Sequence, residues 1–147
     1  MDIHRLNRRA WHALFAAVVV CLGPLDAVFA QRPGQTIVAD LQQRLGLSEG
    51  QVKGALGALL VYARERLPKP DFDDLAQDIP NADRIMQDVK QSGIVTKPLD
   101  RIEDYEKALS MLGIGQPLAS QFAPAVIDAL GAAGLQRERD LLARAIY

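Results

Sequence analysis

Cysteine, tryptophan and histidine are nearly absent from this sequence of 147 residues. The one cysteine, the one tryptophan and both histidines all precede residue 22: they are Cys21, Trp11, His4 and His12. From Gln31 onward the chain therefore has no thiol and no imidazole. A Ser-His-Asp triad, a Cys-His pair and the usual zinc ligand sets cannot be assembled there. Disulfides, which stabilise many small exported domains, are excluded as well.

Aromatic residues are also scarce, at 5% of the sequence, whereas leucine and alanine are abundant. From Gln31 onward β-branched residues occur mostly singly, not in the runs that are typical of strands. This composition favours an all-α protein. The sequence has neither a Gly-x4-Gly-Lys-Ser phosphate loop nor a dinucleotide-binding fingerprint. We therefore predict no cofactor and no metal.

The N-terminal segment, from Met1 to Ala30, has the layout of a secretory signal peptide. A basic region contains Arg5, Arg8 and Arg9, and an apolar run follows over residues 10–25. Val28 and Ala30 then stand at the third and first positions before a cut, so cleavage is expected after Ala30. A retained membrane anchor is the alternative, but the apolar run is shorter than the roughly 20 residues that a spanning helix needs. The sequence predicts an exported protein, periplasmic or extracellular in a bacterium.

The charge that remains after Ala30 is small. The whole chain has 17 basic and 18 acidic residues, of which three basic and two acidic residues precede Gln31, so the rest carries a net charge of −2. A nucleic-acid-binding domain would show a basic excess, and a disordered tail would carry a more extreme charge. We therefore predict no nucleic-acid partner and a folded domain whose stability comes from apolar packing.

We predict a flexible lead over residues 31–36 and a single α-helical domain over residues 37–147. Apolar residues at helical spacing, separated by glycine and proline, indicate about six or seven helices. They cover approximately residues 37–45, 48–67, 72–78, 81–90, 99–112, 116–130 and 137–146. Ser48 and Asp71 are the expected N-caps of the second and third helices. Pro124 is expected to kink or shorten the sixth.

The segment Leu45-Gly46-Leu47-Ser48 joins the first two helices, because Gly46 suits a left-handed helix end and Ser48 suits a helix start. The second helix then carries a stripe of small residues. Each interior glycine costs about 1 kcal/mol relative to alanine, so we expect a neighbouring helix to approach it closely, with a flexible hinge as the second interpretation. The candidate interaction face on this stripe consists of Gly50, Gly54, Gly57 and Ala58.

A second joint, Leu112-Gly113-Ile114, matches Leu45-Gly46-Leu47 when the sequence is aligned with itself so that Leu112 falls on Leu45. The same alignment places apolar residues on apolar residues through most of two helices. One interpretation is a duplicated helix–turn–helix unit whose copies bury their apolar faces against each other. The alternative is chance, since any two amphipathic helices joined at glycine match somewhere.

The joints belong to a wider set of apolar and turn motifs. In order these are Leu41-x3-Leu45-Gly46-Leu47-Ser48-x2-Gln51-Val52, Tyr62-Ala63, Asp71-Phe72-x2-Leu75, Ile79-Pro80, Leu112-Gly113-Ile114 and Phe122-x3-Val126. This set resembles the bacterial VcgC/VcgE family of exported helical domains of unknown function. The resemblance would cover roughly residues 37–145. It implies an exported helical fold, and it carries over no activity, cofactor or site residue.

Two acidic clusters are the remaining candidates for chemistry. The first, around the third helix, contains Asp71, Asp73, Asp74 and Asp78. It does not fit a calcium loop, because apolar residues interrupt it and no glycine stands at the sharp turn. The second contains Asp100, Glu103, Asp104 and Glu106. A pair of acids there could serve a glycoside hydrolase, although the aromatic residues that usually line such clefts are few here.

The C-terminal segment, residues 135–147, combines three arginines with apolar positions at helical spacing. A basic amphipathic helix can lie on an anionic membrane. Because Glu138 and Asp140 alternate with the arginines, a solvated helix docked on the core is favoured.

From the sequence we expect a non-catalytic binding or envelope-associated structural module. Its partner would be an unknown protein or a second copy of the chain. The alternatives are a carboxylate-dependent hydrolase of cell-envelope glycans and a protein associated with the membrane surface.

Overall fold

The computed structural model describes residues 33–147, with side chains from Ile37 onward. The predicted signal peptide, residues 1–30, lies outside the described residues. Within the described range the chain forms seven α-helices and no strand, which confirms the predicted all-α multi-helix bundle. The helices are α1 Pro33–Leu45, α2 Glu49–Arg66, α3 Lys69–Asp78, α4 Ala82–Gln91, α5 Ile102–Met111, α6 Gln116–Ala132 and α7 Gln136–Ile146.

Helix α2 is the centre of the domain. Every residue from Gly54 to Ala63 is buried, and α1, α3, α4, α5 and α7 all pack against α2. A helix that is apolar around its whole circumference belongs inside a core. The small side chains of α2 let several helices approach it at once.

Two helices begin earlier than the sequence predicted. Helix α1 starts at Pro33, so part of the predicted flexible lead is helical. Helix α3 starts at Lys69 after Pro68, and Pro70 lies in its first turn. Proline suits this position, because the first helical N–H groups lack partners in any case. The prediction that Asp71 caps α3 is wrong, since this residue lies inside the first turn and makes no capping hydrogen bond.

Helix α6 continues from Gln116 to Ala132 with Pro124 inside it, so Pro124 does not shorten the helix. The proline is exposed. Its missing N–H therefore leaves an unpaired carbonyl on a side of the helix that water can reach, which limits the cost of the lost hydrogen bond.

The two joints have nearly the same backbone geometry. Gly46 has φ +65° and Gly113 has φ +75°. The residues that precede α2 and α6 are also alike, with Ser48 at φ −70°, ψ 159° and Gly115 at φ −68°, ψ 160°. Both glycines of the joints occupy the left-handed region, where a side chain would cost about 1–2 kcal/mol. The predicted helix stop at Gly46 and helix start at Ser48 are confirmed, whereas α6 starts after Gly115 without a capping side chain.

The correspondence between the two halves extends to a third helix. The alignment of Leu45 with Leu112 also pairs the first residue of α2 with that of α6 (Glu49 with Gln116), and the first residue of α3 with that of α7 (Lys69 with Gln136). Helix α1 packs against α6 and α5 packs against α2, as expected for two units that exchange places about a pseudo-twofold axis. This geometry supports a duplicated unit of three helices, with α4 as an additional helix between the copies.

Two tyrosines lie in the core on facing helices. The rings of Tyr62 and Tyr105 are 5.9 Å apart and tilted by 39°. The Tyr62 hydroxyl accepts a hydrogen bond of 2.6 Å from Arg66 Nη2. The Tyr105 hydroxyl is buried and has no partner in the described part of the chain. One buried phenol is therefore satisfied and the other is not.

Candidate interaction groove

The four residues of the predicted interaction face have different surroundings. Gly50 is exposed, whereas Gly54, Gly57 and Ala58 are buried. A Cβ added to Gly57 would lie 2.8 Å from the carbonyl oxygen of Ile85 on α4. The predicted close approach by a neighbouring helix is confirmed, and that helix is α4. The prediction of a face open to partners is wrong for Gly57 and Ala58, because packing within the domain already covers them.

Gly50 and Gly54 contribute instead to a groove at the start of α2. The groove has a volume of about 250 Å³ and lies between α2, α4 and the joint that precedes α6. Its other lining residues are mainly apolar: Ile85, Val89, Ile94 and Leu112, with Ser92, Lys53 and Asp88 as the polar members. We refer to this feature as the α2–α4 groove.

The base of the α2–α4 groove is held in place by the capping residues of α2. Ser48 and Gln51 form a capping box, in which the Ser48 hydroxyl accepts from the backbone N–H of Gln51 at 3.3 Å and the Ser48 N–H donates to Gln51 Oε1 at 3.1 Å. The other end of the same amide, Gln51 Nε2, donates to the carbonyl oxygen of Leu112 at 3.1 Å. One side chain thus starts α2 and ties the second joint to it.

Leu112 also closes the groove beside Gly54. A Cβ added to Gly54 would lie 2.7 Å from Leu112 Cδ2. Glycine at this position therefore lets Leu112 approach the backbone of α2. The groove depends on a contact between residues far apart in the sequence.

A family model described as proteins of unknown function, VcgC/VcgE (DUF2780), matches residues 25–146 of the chain. The chain belongs to the VcgC/VcgE family. The resemblance noted in the sequence is therefore confirmed. No curated protein and no solved structure matches the chain.

The motifs that carry the VcgC/VcgE resemblance occupy positions that build the fold. Leu41, Val52 and Phe122 are each 0% exposed. Gly46 and Gly113 have positive φ. Buried apolar residues and left-handed glycines specify helix packing and helix ends. These motifs therefore account for the architecture of this VcgC/VcgE domain and not for the chemistry of its surface.

The first acidic cluster links two helices of this VcgC/VcgE domain. Asp71 accepts from Arg144 at 3.2 Å, and Asp74 pairs with Arg137, so both join α3 to α7. Asp73 pairs with Lys69 within α3. The described residues contain no group of three or more histidine, cysteine or acidic side chains that could hold a metal ion.

The second acidic cluster does not form a facing pair of acids. Glu103 and Glu106 line one cleft of about 410 Å³, but both belong to α5. The opposite wall, from the second joint and α6, contributes Ile114, Gln116 and Ala119. Gln116 Nε2 donates to Glu106 Oε2 at 3.2 Å. A glycosidase needs its two carboxyl groups on either side of the scissile bond, so this arrangement gives the hydrolase alternative no support.

Helix α7 is docked on the core, as its mixed charges predicted. Leu141, Leu142 and Ala145 are buried. All three arginines of α7 form ion pairs: Arg137 with Asp74, Arg139 with Asp140 and Arg144 with Asp71. The apolar face and the cations that would bind an anionic membrane are therefore already engaged within the domain. Among the described helices, none combines the length and the hydropathy needed to cross a bilayer.

Asp104 is a buried acid whose environment the sequence did not reveal. Its side chain is 8% exposed, and Lys97 Nζ lies 2.7 Å from Oδ1. Arg101 Nε lies 3.5 Å from the other oxygen without making a hydrogen bond. The hydrogen bond from Lys97 lowers the pKa of Asp104, and burial partly opposes this effect. Lys97 belongs to the segment between α4 and α5, so the ion pair fixes that segment on α5.

Replacing Lys97 with methionine is expected to raise the pKa of Asp104. The variant loses the hydrogen bond and the positive charge, whereas the burial that disfavours the carboxylate remains. NMR titration of the Asp104 carboxyl carbon measures the change, with Lys53→Met as a control that removes a distant lysine.

Because the folded-state pKa of Asp104 is lowered, its contribution to stability is present above about pH 4. That contribution is lost as the pH falls through the folded-state value. Lys97→Met should weaken this acid dependence. An Asp104 pKa that is the same with and without Lys97 would contradict the assignment.

Proposed function

We propose that this chain is exported and acts without catalysis, as an interaction module that takes an apolar side chain of a protein partner into the α2–α4 groove. We further propose that the partner is a second copy of the chain. The signal-peptide layout of residues 1–30 supports the export. The observation that carries the interaction is the groove itself.

The composition and size of the groove favour a side chain as the occupant. Its walls are mostly aliphatic, and its volume of about 250 Å³ is below the roughly 300–1,000 Å³ of pockets that enclose small-molecule ligands. Gly50 lies at the groove with nothing within 4 Å of an added Cβ. The groove is therefore open at Gly50, where a small side chain would fit and a large charged one would obstruct entry.

The charges at the groove favour a second copy as the partner. Lys53 on α2 and Asp88 on α4 both line it, and they have opposite signs. In a dimer contact with twofold symmetry, Lys53 of each chain can face Asp88 of the other chain. Met111, which directly precedes Leu112, is 59% exposed. It supplies a flexible apolar side chain of the kind that adaptable interfaces use.

Replacing Gly50 with arginine is expected to weaken dimerisation by about fivefold or more, roughly 1 kcal/mol or above. The variant places a large charged group at the groove and leaves the helix intact, since arginine is a good helix former. Sedimentation of the exported protein over a range of concentrations measures the effect.

Gly50→Ala is the matched control for this experiment. It removes the same glycine with little change in the groove, so its dimerisation should match that of the wild type. A wild-type protein that stays monomeric at high concentration would end the proposal of self-association. A Gly50→Arg dimer of undiminished stability would place the contact on another surface.

A further inference from the structure

A second cleft lies near the other end of α2 and differs from the α2–α4 groove in charge. It has a volume of about 490 Å³ and lies between α2, α4 and the segment that joins α4 to α5. Its apolar wall consists of Pro98, which is exposed, because Val61 and Val95 are only 1% and 4% exposed and present little surface. A short hydrocarbon can pack on Pro98 and on the aliphatic stems of the cationic side chains beside it.

Three cations from three separate parts of the fold line this cleft. They are Arg64 on α2, Lys90 on α4 and Lys97 on the joining segment, against a single acid, Glu65. Arg64 Nη2 is 3.8 Å from Glu65 Oε1, which is too long for a hydrogen bond. Lys97 is paired with Asp104. Lys90 has no ion-pair partner among the residues that the structure describes.

The lining of this cleft has more cations than acids, although the whole chain has a net charge of −1. Cations near helix C-termini often serve only the helix dipole, and both Arg64 and Lys90 lie in last turns. That role does not require them to meet at one cleft. The third cation, Lys97, lies outside the helices and pairs with Asp104 on α5.

We propose that this cleft binds an oxyanion, phosphate or carboxylate, carried on a short hydrocarbon. Lys90 and Arg64 hold the oxyanion, and Pro98 with the aliphatic stems of the cations takes the hydrocarbon. Arginine can bind either oxyanion through two parallel hydrogen bonds, and lysine contributes a point charge. Lys90 supplies a charge that no acid in the described part of the domain neutralises.

Hexyl phosphate and inorganic phosphate are the probes that test this site, titrated into the exported protein and followed by amide NMR shifts. Hexyl phosphate should bind more tightly, because only it can use the apolar wall, and its largest shifts should fall at Val95, Thr96 and Lys97. Lys90→Gln and Arg64→Gln should each weaken binding by about fivefold, the upper range for one exposed charge pair. Lys107→Gln, at a lysine that lines a different cleft, should leave binding unchanged.

Vesicles of phosphatidylglycerol distinguish the source of the oxyanion. Vesicle binding that depends on Lys90 would assign the oxyanion to a lipid headgroup, whereas binding of hexyl phosphate alone would assign it to a soluble ligand. Either result supports the site. No binding of hexyl phosphate or vesicles at millimolar concentration would overturn it. Equal losses in the Lys90 and Lys107 variants would do the same, since they would show only unspecific charge attraction.

Discussion

The Gly57→Ala variant is expected to unfold with a free energy lower by up to about 2 kcal/mol, although alanine is the better helix former. The added Cβ would lie 2.8 Å from the carbonyl oxygen of Ile85 and 2.8 Å from Val89 Cγ1. Val89 can change rotamer, but the carbonyl oxygen belongs to the backbone of α4. Relief of that contact requires α4 to move away from α2.

The expected magnitude is a balance of two effects. Overpacking a well-packed core typically costs about 1–3 kcal/mol. Replacing a helical glycine with alanine stabilises the folded state by about 1 kcal/mol, because the unfolded chain has lower entropy and alanine has the better helix propensity. Overpacking prevails at Gly57 because the nearest atom cannot rotate away. Chemical denaturation of the protein gives the difference directly.

Gly50 and Gly54 provide a graded control on the same helix. Gly50→Ala meets nothing within 4 Å, so it should stabilise the domain by roughly 0.5–1 kcal/mol. Gly54→Ala meets only the end of the flexible Leu112 side chain, at 2.7 Å, so it should fall between the other two. The hinge interpretation predicts instead that all three substitutions act alike. Equal effects would therefore contradict close packing as the reason for the stripe.

The helix ends show how much of this fold can be predicted from local chemistry. The roles of Gly46 and Ser48 follow correctly from the sequence, because a left-handed glycine and a capping hydroxyl act within a few residues. The capping role predicted for Asp71 is wrong for a related reason. A proline-rich start can replace a capping side chain, and the carboxylate is then free to pair with Arg144 on the distant helix α7.

The surfaces cannot be predicted to the same extent, because they depend on contacts between distant segments. The sequence indicates that a helix approaches the small-residue stripe but not that α4 covers Gly57 and leaves Gly50 open. The cleft near the C-terminal end of α2 brings together Arg64, Lys90 and Lys97 from three parts of the chain. The periodicity within a single helix does not indicate that residues from separate segments line the same cleft.

The correspondence between α3 and α7 is difficult to see in the sequence for a physical reason as well. The alignment that places Leu112 on Leu45 pairs Leu75 with Leu142, both buried, but it also pairs Phe72 with Arg139. Packing requires the same helix position and a matching apolar face, and it tolerates a change of residue type at the edges of that face. The two helices therefore correspond in position although few of their residues are alike.

Tyr105→Phe is expected to stabilise the domain by about 1–2 kcal/mol, the penalty recovered when a buried polar group without a partner is removed. The Tyr105 side chain is 1% exposed, and its hydroxyl has no hydrogen-bond partner within the described residues. Phenylalanine keeps the ring that packs on Tyr62. Thermal and chemical unfolding both measure the gain.

Tyr62→Phe is the matched control, with the opposite expected sign. The Tyr62 hydroxyl accepts from Arg66 Nη2 at 2.6 Å, so its removal should cost about 0.5–1.5 kcal/mol. Loss of stability in Tyr105→Phe would show that the Tyr105 hydroxyl has a partner, such as a bound water. The contrast between the two variants isolates the hydroxyl, because both retain the packed ring.

The pH dependence provides an independent measure of the same burial. Burial raises the pKa of the Tyr105 hydroxyl, and the charge of Glu106 adds to the effect. The folded state therefore keeps the phenol neutral at a pH where the unfolded chain, with a tyrosine pKa of about 10, releases the proton. Below about pH 10 this group should leave stability independent of pH, and above it the wild type should lose stability as the pH rises. Tyr105→Phe removes that loss, so the stability difference between the variant and the wild type should widen above about pH 10, by up to about 1.4 kcal/mol per pH unit.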